Sequence, residues 1–353
     1  MKLFEPVTVG NITLGNRIVM APMTRCRATG NVPNELHVQY YGQRADAGLL
    51  ITEGTSPSPN GLGYARIPGL YNQQQVAGWR KVTRAVHDRK GRIFLQIMHT
   101  GRVSHPANMP EGARMLAPSA IKISGQMWTD RQGMQDHPVA QAMTEADIRS
   151  TIAEYASCAE LAIEAGFDGV ELHGANGYLI EQFLNPLANQ RSDGYGGAAA
   201  GRMRFALEVT KAVVDRIGGE RTGIRVSPYG VFNDTGAFDG IDEFYAELSH
   251  TLAALKLAYI HVVDHSAMGA PAVSPQVKQL IRTNFTGAYI LSGGYDGERA
   301  EHDLQAGRGD LVAFGRPFIS NPDLVNKLRN HAALTPPNAD TFYTPGPAGY
   351  TDY

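Results

Sequence analysis

Eight short β-rich runs that alternate with amphipathic segments predict an α/β fold, a TIM (β/α)8 barrel of parallel strands. Three observations carry this expectation. There are eight such runs, they read as nearly continuous apolar stretches of the kind found in a sheet covered on its outer face, and 353 residues suit a barrel with insertions. Residues 1–353 are accordingly read as a single domain.

The predicted strands are Ile18–Ala21, Leu49–Glu53, Arg92–Gln96, Gly169–His173, Gly223–Ser227, Tyr259–Val263, Ala288–Ser292 and Leu311–Phe314. Ahead of them, Leu3–Thr8 and Asn11–Leu14 flank Gly10 and predict an N-terminal β-hairpin that plugs the barrel bottom. The clearest helix is Thr144–Ala165. Thr144 and Asp147 have the spacing of a capping box, Gly166 can close the end, and Ile148, Ile152, Tyr155, Ala159 and Ala162 fall on one face. Other helices are predicted over about Gln73–Asp88, Met203–Ile217, Asp242–Leu257 and Pro322–Arg329, the last with Asn321 as N-cap. The stretch Gly101–Gln141 is weakly periodic and rich in Pro, Gly and Met. It predicts an insertion after strand three that folds over the mouth as a cap.

Composition narrows the functions open to such a chain. A net charge of -2 with no basic run gives no reason to expect nucleic acid or an anionic membrane as partner. No run of about 18 apolar residues is present to span a bilayer. The first residues lack the apolar core of a signal peptide, so a cytoplasmic location is expected. Cys26 and Cys158 lie too far apart for a CxxC pair or an iron–sulfur cluster within the chain, and both read as small buried hydrophobes. No metal site is predicted. A small-molecule substrate, handled by a monomer or small homo-oligomer, is the expectation that remains.

Barrel active sites form where strands end and the following loops begin. Those ends carry Pro22-Met23-Thr24, Glu53-Gly54, Gln96, His173 through Tyr178, Arg225, Gly293-Gly294 and Gly315-Arg316. Polar donors at most ends, with glycines at the last two, suggest a planar polar ligand bearing a phosphate. Main-chain N–H groups at Gly293-Gly294 and Gly315, with the Arg316 guanidinium, would form the usual barrel anion site. Thr24 and Gln96 can serve ring carbonyls and nitrogens, and the fixed charge of Arg225 would stabilise a ring that becomes anionic on reduction. In His173-x-x-Asn176-x-Tyr178, two side chains can donate to one carbonyl or nitro oxygen. The third is a phenol with an ordinary pKa of about 10 that can deliver a proton.

These residues closely resemble the Old Yellow Enzyme family of FMN-dependent ene-reductases, in particular its N-ethylmaleimide and pentaerythritol tetranitrate reductase branch. The resemblance spans the chain. It includes Leu14 through Arg25, Leu95-Gln96-Ile97-Met98-His99-Thr100-Gly101-Arg102, His173 through Leu184, Asn189 through Gly197, and Phe314-Gly315-Arg316-Pro317-Phe318-Ile319. It implies that Pro22, Met23, Thr24, Gly54, Gln96, His173 and Arg225 contact a tightly but noncovalently bound flavin, and that Gly293, Gly294, Gly315 and Arg316 hold its phosphate. It further implies that His173 and Asn176 anchor the substrate oxygen, that Tyr178 is the proton donor, and that Tyr64 and Tyr343 wall the pocket. Its activity would be NADPH- or NADH-dependent reduction of enones, enals, maleimides or nitroalkenes, with nitrate esters as further acceptors. No GxGxxG opens a βαβ unit, so the nicotinamide is expected as a transient hydride donor. One position departs from the family: Met98 stands where many members have Trp, which predicts a roomier, softer wall.

Two rival readings compete with this one. His173, His261, Asp264 and His265 near strand ends raise a metal-dependent barrel hydrolase, although no HxH or HExxH motif supports it. The second is a noncatalytic flavin-binding protein, against which the complete His173, Asn176 and Tyr178 set argues.

Overall fold

The structure is a computed structural model describing residues 1–353. Its centre is a closed barrel of eight parallel strands: β1 (Ile18–Met20), β2 (Leu49–Ile51), β3 (Ile93–Ile97), β4 (Gly169–Gly174), β5 (Thr222–Val226), β6 (Tyr259–Val263), β7 (Ala288–Ser292) and β8 (Leu311–Phe314). β8 closes on β1 with Val312 opposite Ile18 and Phe314 opposite Met20. Successive side chains alternate between the two faces of a strand. Val19, Leu49, Ile51, Phe94, Tyr259, Ile290 and Leu311 therefore fill the interior, while Met20, Leu50, Ile93, Leu95 and Val170 join the larger layer beneath the helices. Fully burying such a side chain contributes about 1.5–3 kcal/mol relative to exposure.

Val7–Val9 and Ile12–Leu14 pair antiparallel, and Val9 and Leu14 belong to the same packed cluster as the interior side chains. The outer helices are α1 (Glu35–Gln43), α2 (Gln73–His87), α3 (Glu145–Glu164), α4 (Ala199–Ile217), α5 (Ile241–Ala253), α6 (Pro275–Asn284), α7 (Gly297–Gln305) and α8 (Leu324–Arg329). The capping box of α3 is present in both directions between Thr144 and Asp147. None of the helices is long and apolar enough to cross a membrane.

Three features differ from expectation. Helices α1, α6 and α7 were not foreseen, although Asn34, Ser274 and Asp296 cap them by accepting backbone N–H groups. Asn321 is not the N-cap of α8: a separate short helix, Arg316–Ser320, comes first, and Asp323 precedes α8. The Asn321 side chain instead bonds Pro317 O, both peptide groups of Thr335 and the Lys327 ammonium, fastening the chain that follows. The insertion after β3 is also more ordered than its weak periodicity implied. It holds an antiparallel hairpin, Gln126–Thr129 with Gly133–Asp136, and a two-residue pairing of Leu116–Ala117 with Gln141–Ala142.

Beyond α8 the chain returns over the loop that follows β1. Arg27 donates to the carbonyls of Thr341, Phe342, Gly346 and Ala348, and Arg25 to those of Phe342 and Gly349. The Tyr350 ring stacks on Tyr40 at 4.0 Å.

Candidate active site

At the C-terminal mouth of the barrel lie two adjoining cavities of about 790 and 760 Å3, which share Pro22, Thr24, Tyr64, Asn176, Tyr178, Arg225 and Tyr343. Gln96, Met98 and His173 line the first, together with Met127, Trp128 and Met134 of the capping hairpin. Met23, Gly293, Gly294, Gly315 and Arg316 line the second. The structure thus brings every sequence-identified residue to the mouth except Gly54. That glycine is in the lining of neither cavity, and a Cβ there would run into the Met98 side chain, so Gly54 makes room for Met98.

Strand register sets the polar row. His173 on β4, Arg225 on β5 and His261 on β6 are in-register neighbours, and two residues earlier on β4 Glu171 is paired with Gln96 on β3. Glu171 is fully buried and accepts from Gln96 Nε2 at 2.8 Å and lies 2.9 Å from His261 Nδ1. One Gln96 N–H is therefore already committed. The Arg225 guanidinium is buried, and its Nε has no partner within the protein. A buried cation with an unmet donor calls for an acceptor from a ligand, because an unpaired donor of this kind is costly.

His173 Nδ1 accepts from the Ala175 peptide N at 3.3 Å, which leaves its Nε2–H for the cavity. Burial first, then the charge of Arg225, holds its pKa well below the ordinary value, so the ring is neutral at physiological pH. Asn176 sits at φ 60°, with its peptide N donating to Ser227 Oγ at 2.9 Å and its side-chain oxygen 2.7 Å from His265 Nε2. The Tyr178 hydroxyl lies 2.9 Å from that of Tyr64, and its ring meets His173 edge-on at 4.8 Å. Burial pushes the Tyr178 phenol up to about 12, so it keeps its proton at neutral pH.

The second cavity has an anion cradle. Gly293 at φ 137° and Gly294 at φ 63° adopt backbone conformations that strain an L side chain, and a Cβ on either would strike Asp264 or Ala267. With Gly315 and the exposed Arg316 beside them, they present backbone and one guanidinium to the same space. A ring beside Arg225 and a phosphate at the cradle fit these residues.

The residues of the metal-hydrolase rival are committed elsewhere. His261 bonds Glu171, His265 bonds Asn176 and Asp264 pairs with Lys278. No group of three or more His, Cys, Asp or Glu is placed to hold a metal. Sequence reading missed the partners behind the site. His265 was weighed only as a ligand, Asn233 and Glu171 lay in no motif, and Glu181, although inside the run from His173 to Leu184, was given no role. The hairpin residues Met127, Trp128 and Met134 went unremarked because four-residue strands give too short an alternation to read.

Comparison with known proteins agrees with this geometry. The model of the NADH:flavin oxidoreductase / NADH oxidase family matches residues 2–335. The chain is 40% identical to 12-oxophytodienoate reductase 7 of Oryza sativa subsp. japonica, covering 99% of this chain and 94% of that protein. It superposes on morphinone reductase with a TM-score of 0.96 at 41% identity, over 99% of this chain and 95% of the other. The old yellow enzyme homologue from Zymomonas mobilis gives a TM-score of 0.96 at 39% identity, over 100% and 99%. Fold and site together define a barrel flavoenzyme that takes hydride from a nicotinamide onto FMN. The chain belongs to the NADH:flavin oxidoreductase / NADH oxidase family, as an FMN-dependent alkene reductase of the Old Yellow Enzyme kind.

Proposed function

We propose that the whole chain acts as one FMN-binding unit that reduces the C=C bond of enones, enals, maleimides or nitroalkenes, and takes nitrate esters at the same site. NADPH or NADH serves as a passing donor, and the setting is cytoplasmic, as a monomer or small homo-oligomer. The observation that supports this best is that His173, Asn176 and Tyr178 all line one cavity.

Pro22, Met23, Thr24, Gln96, His173 and Arg225 would hold the FMN ring, and Gly293, Gly294, Gly315 and Arg316 its phosphate. When bound, FMN supplies two-electron chemistry, receiving hydride from the nicotinamide and passing it to the alkene. Against the substrate, neutral His173 and the Asn176 amide donate to the electron-withdrawing oxygen, where negative charge grows as hydride arrives. Donors fixed before the reaction need no reorganisation, and losing one such donor costs about 10²–10³ in rate. Tyr178, kept protonated by burial, gives its proton to the α-carbon, and Tyr64 holds the phenol in place. Tyr64, Met98 and Tyr343 shape the substrate side of the cavity.

The test is direct. Purified protein should show a flavin absorbance band that bleaches anaerobically with NADPH or NADH and returns on addition of 2-cyclohexenone. A band that bleaches but does not return with any enone, maleimide or nitroalkene would overturn the reading.

A further inference from the structure

The amide of Asn176 has two useful faces: half a turn about its last bond exchanges two N–H donors for an acceptor oxygen. Its backbone cannot decide between them. The peptide N is held by Ser227 Oγ at 2.9 Å, the carbonyl accepts from Asn233 Nδ2 at 2.7 Å, and φ is 60°. These contacts fix where the side chain begins. What the amide itself touches is His265, just beyond β6, whose Nε2 lies 2.7 Å from Asn176 Oδ1.

His265 is well held for such a task. Its ring meets Phe232 edge-on at 4.5 Å, and its carbonyl accepts from Met268 N at 2.8 Å. Burial first, then the facing charge of Arg225, lowers its pKa to about 4 against the opposing effect of Asp264. The ring is therefore neutral through the physiological range, with one N–H to give. Donated from Nε2, that N–H can be accepted only by the amide oxygen.

We propose that His265 is a positioning residue of the alkene-reducing site. Its Nε2–H holds Asn176 Oδ1 away from the cavity, so that the amide N–H faces the substrate oxygen beside the Nε2–H of His173. Without it the amide would rotate freely, and in its other orientation would set an acceptor against an oxygen that is gaining charge. The inference rests on reading His173 and Asn176 as the site of the substrate oxygen.

The holoenzyme variants His265→Leu, His265→Gln, Asn176→Ala and the double variant His265→Leu/Asn176→Ala test it. Gln reaches about as far as His and keeps an N–H, whereas Leu does not. Two quantities are read: the Kd of oxidised enzyme for 2-cyclohexenone, from flavin absorbance, and single-turnover oxidation of reduced enzyme by the same enone. Losing one oriented hydrogen bond should weaken Kd about tenfold in His265→Leu. The Gln variant should stay within about threefold of the parent, and the double variant should be no worse than Asn176→Ala. Equal impairment of the Leu and Gln variants, or multiplying losses in the double variant, overturns the positioning role. If Asn176→Ala binds and reduces the enone normally, the substrate-oxygen reading fails and takes this inference with it. If only His265→Leu is normal, the inference alone fails. Should His265→Leu not retain flavin, the Gln comparison and His265→Asn, too short to reach, decide the question by the same criteria.

Discussion

At the scale of the residue, the two ends of the proposed chemistry separate cleanly. Tyr178→Phe removes a proton but little volume, so reoxidation by an enone should slow by about 10²–10⁴ while reduction by the nicotinamide hardly changes. Stopped-flow measurement of both half-reactions checks this, and equal slowing of the two would remove Tyr178 from the role. Met98 belongs to a small packed cluster with Cys26, Leu62 and Ile67 and fills the space left by the missing Gly54 side chain. Met98→Trp should overpack this wall, lowering stability by about 1–3 kcal/mol in urea denaturation and narrowing turnover towards small enones. Unchanged turnover of bulky substrates would refute the soft-wall reading. The residues proposed to meet a ligand were legible in the sequence because they fall at strand ends in recognisable motifs. Those that act through another residue were not: His265 lies 89 positions from Asn176, and no spacing rule joins a side chain to the partner that orients it.

At the scale of the element, the turn after β4 shows how a loop is made rigid. Glu181, on the short helix Leu179–Leu184, accepts from Gly177 N and from Ser227 Oγ, and Ser227 Oγ in turn accepts from Asn176 N. Burial raises the Glu181 carboxyl from 4.5 to about 7 despite those bonds. Between these values the folded chain binds more protons than the unfolded one. This group's contribution to stability therefore declines as pH rises from about 4.5 to 7 and is level above. Glu53 is raised to about 7 as well, while buried His37 and His99, lowered to about 3, act in the opposite direction as pH climbs towards 6.5. Comparison with Glu181→Gln isolates the one group. The parent's Tm should fall relative to the variant's by about a few degrees between pH 5 and 7.5, then hold. A difference independent of pH would contradict it. The barrel strands were legible because most are dense apolar runs. Helices α1, α6 and α7 were not: they are only 9 or 10 residues long, α6 buries just Val277 and Ile281, and the buried faces of α1 and α7 include His37, Glu301 and Asp303, which blur the apolar period. The Asn321 error has a similar root: an Asn before Pro reads as a cap, but tertiary contacts to Thr335 and Lys327 claimed its amide.

At the scale of the whole molecule, the last twenty residues form part of the mouth. Tyr343 reaches the shared wall because Arg25 and Arg27, one strand-end away from the start of the barrel, hold the backbone on either side of it. Arg27→Ala should free this segment and lower stability by about 2–4 kcal/mol through lost charged hydrogen bonds. It should also raise KM for the enone severalfold, with faster cleavage after residue 335 in limited proteolysis. A tail as protected as the parent's would show that Arg25 and the Tyr350 stack suffice.

That same return of the chain has a consequence for how the enzyme comes into being. β1 must wait for β8, which follows it by nearly three hundred residues, and the Tyr343 wall is made later still. At ribosomal rates of about 5–20 residues per second, the first strand spends roughly 15–60 s without its closing neighbour. Flavin capture is thus an event of the completed ring. A nascent chain arrested before Leu311 would carry most of the binding residues and still be colourless, so the ligand acts as an inspector of finished barrels rather than a template for growing ones.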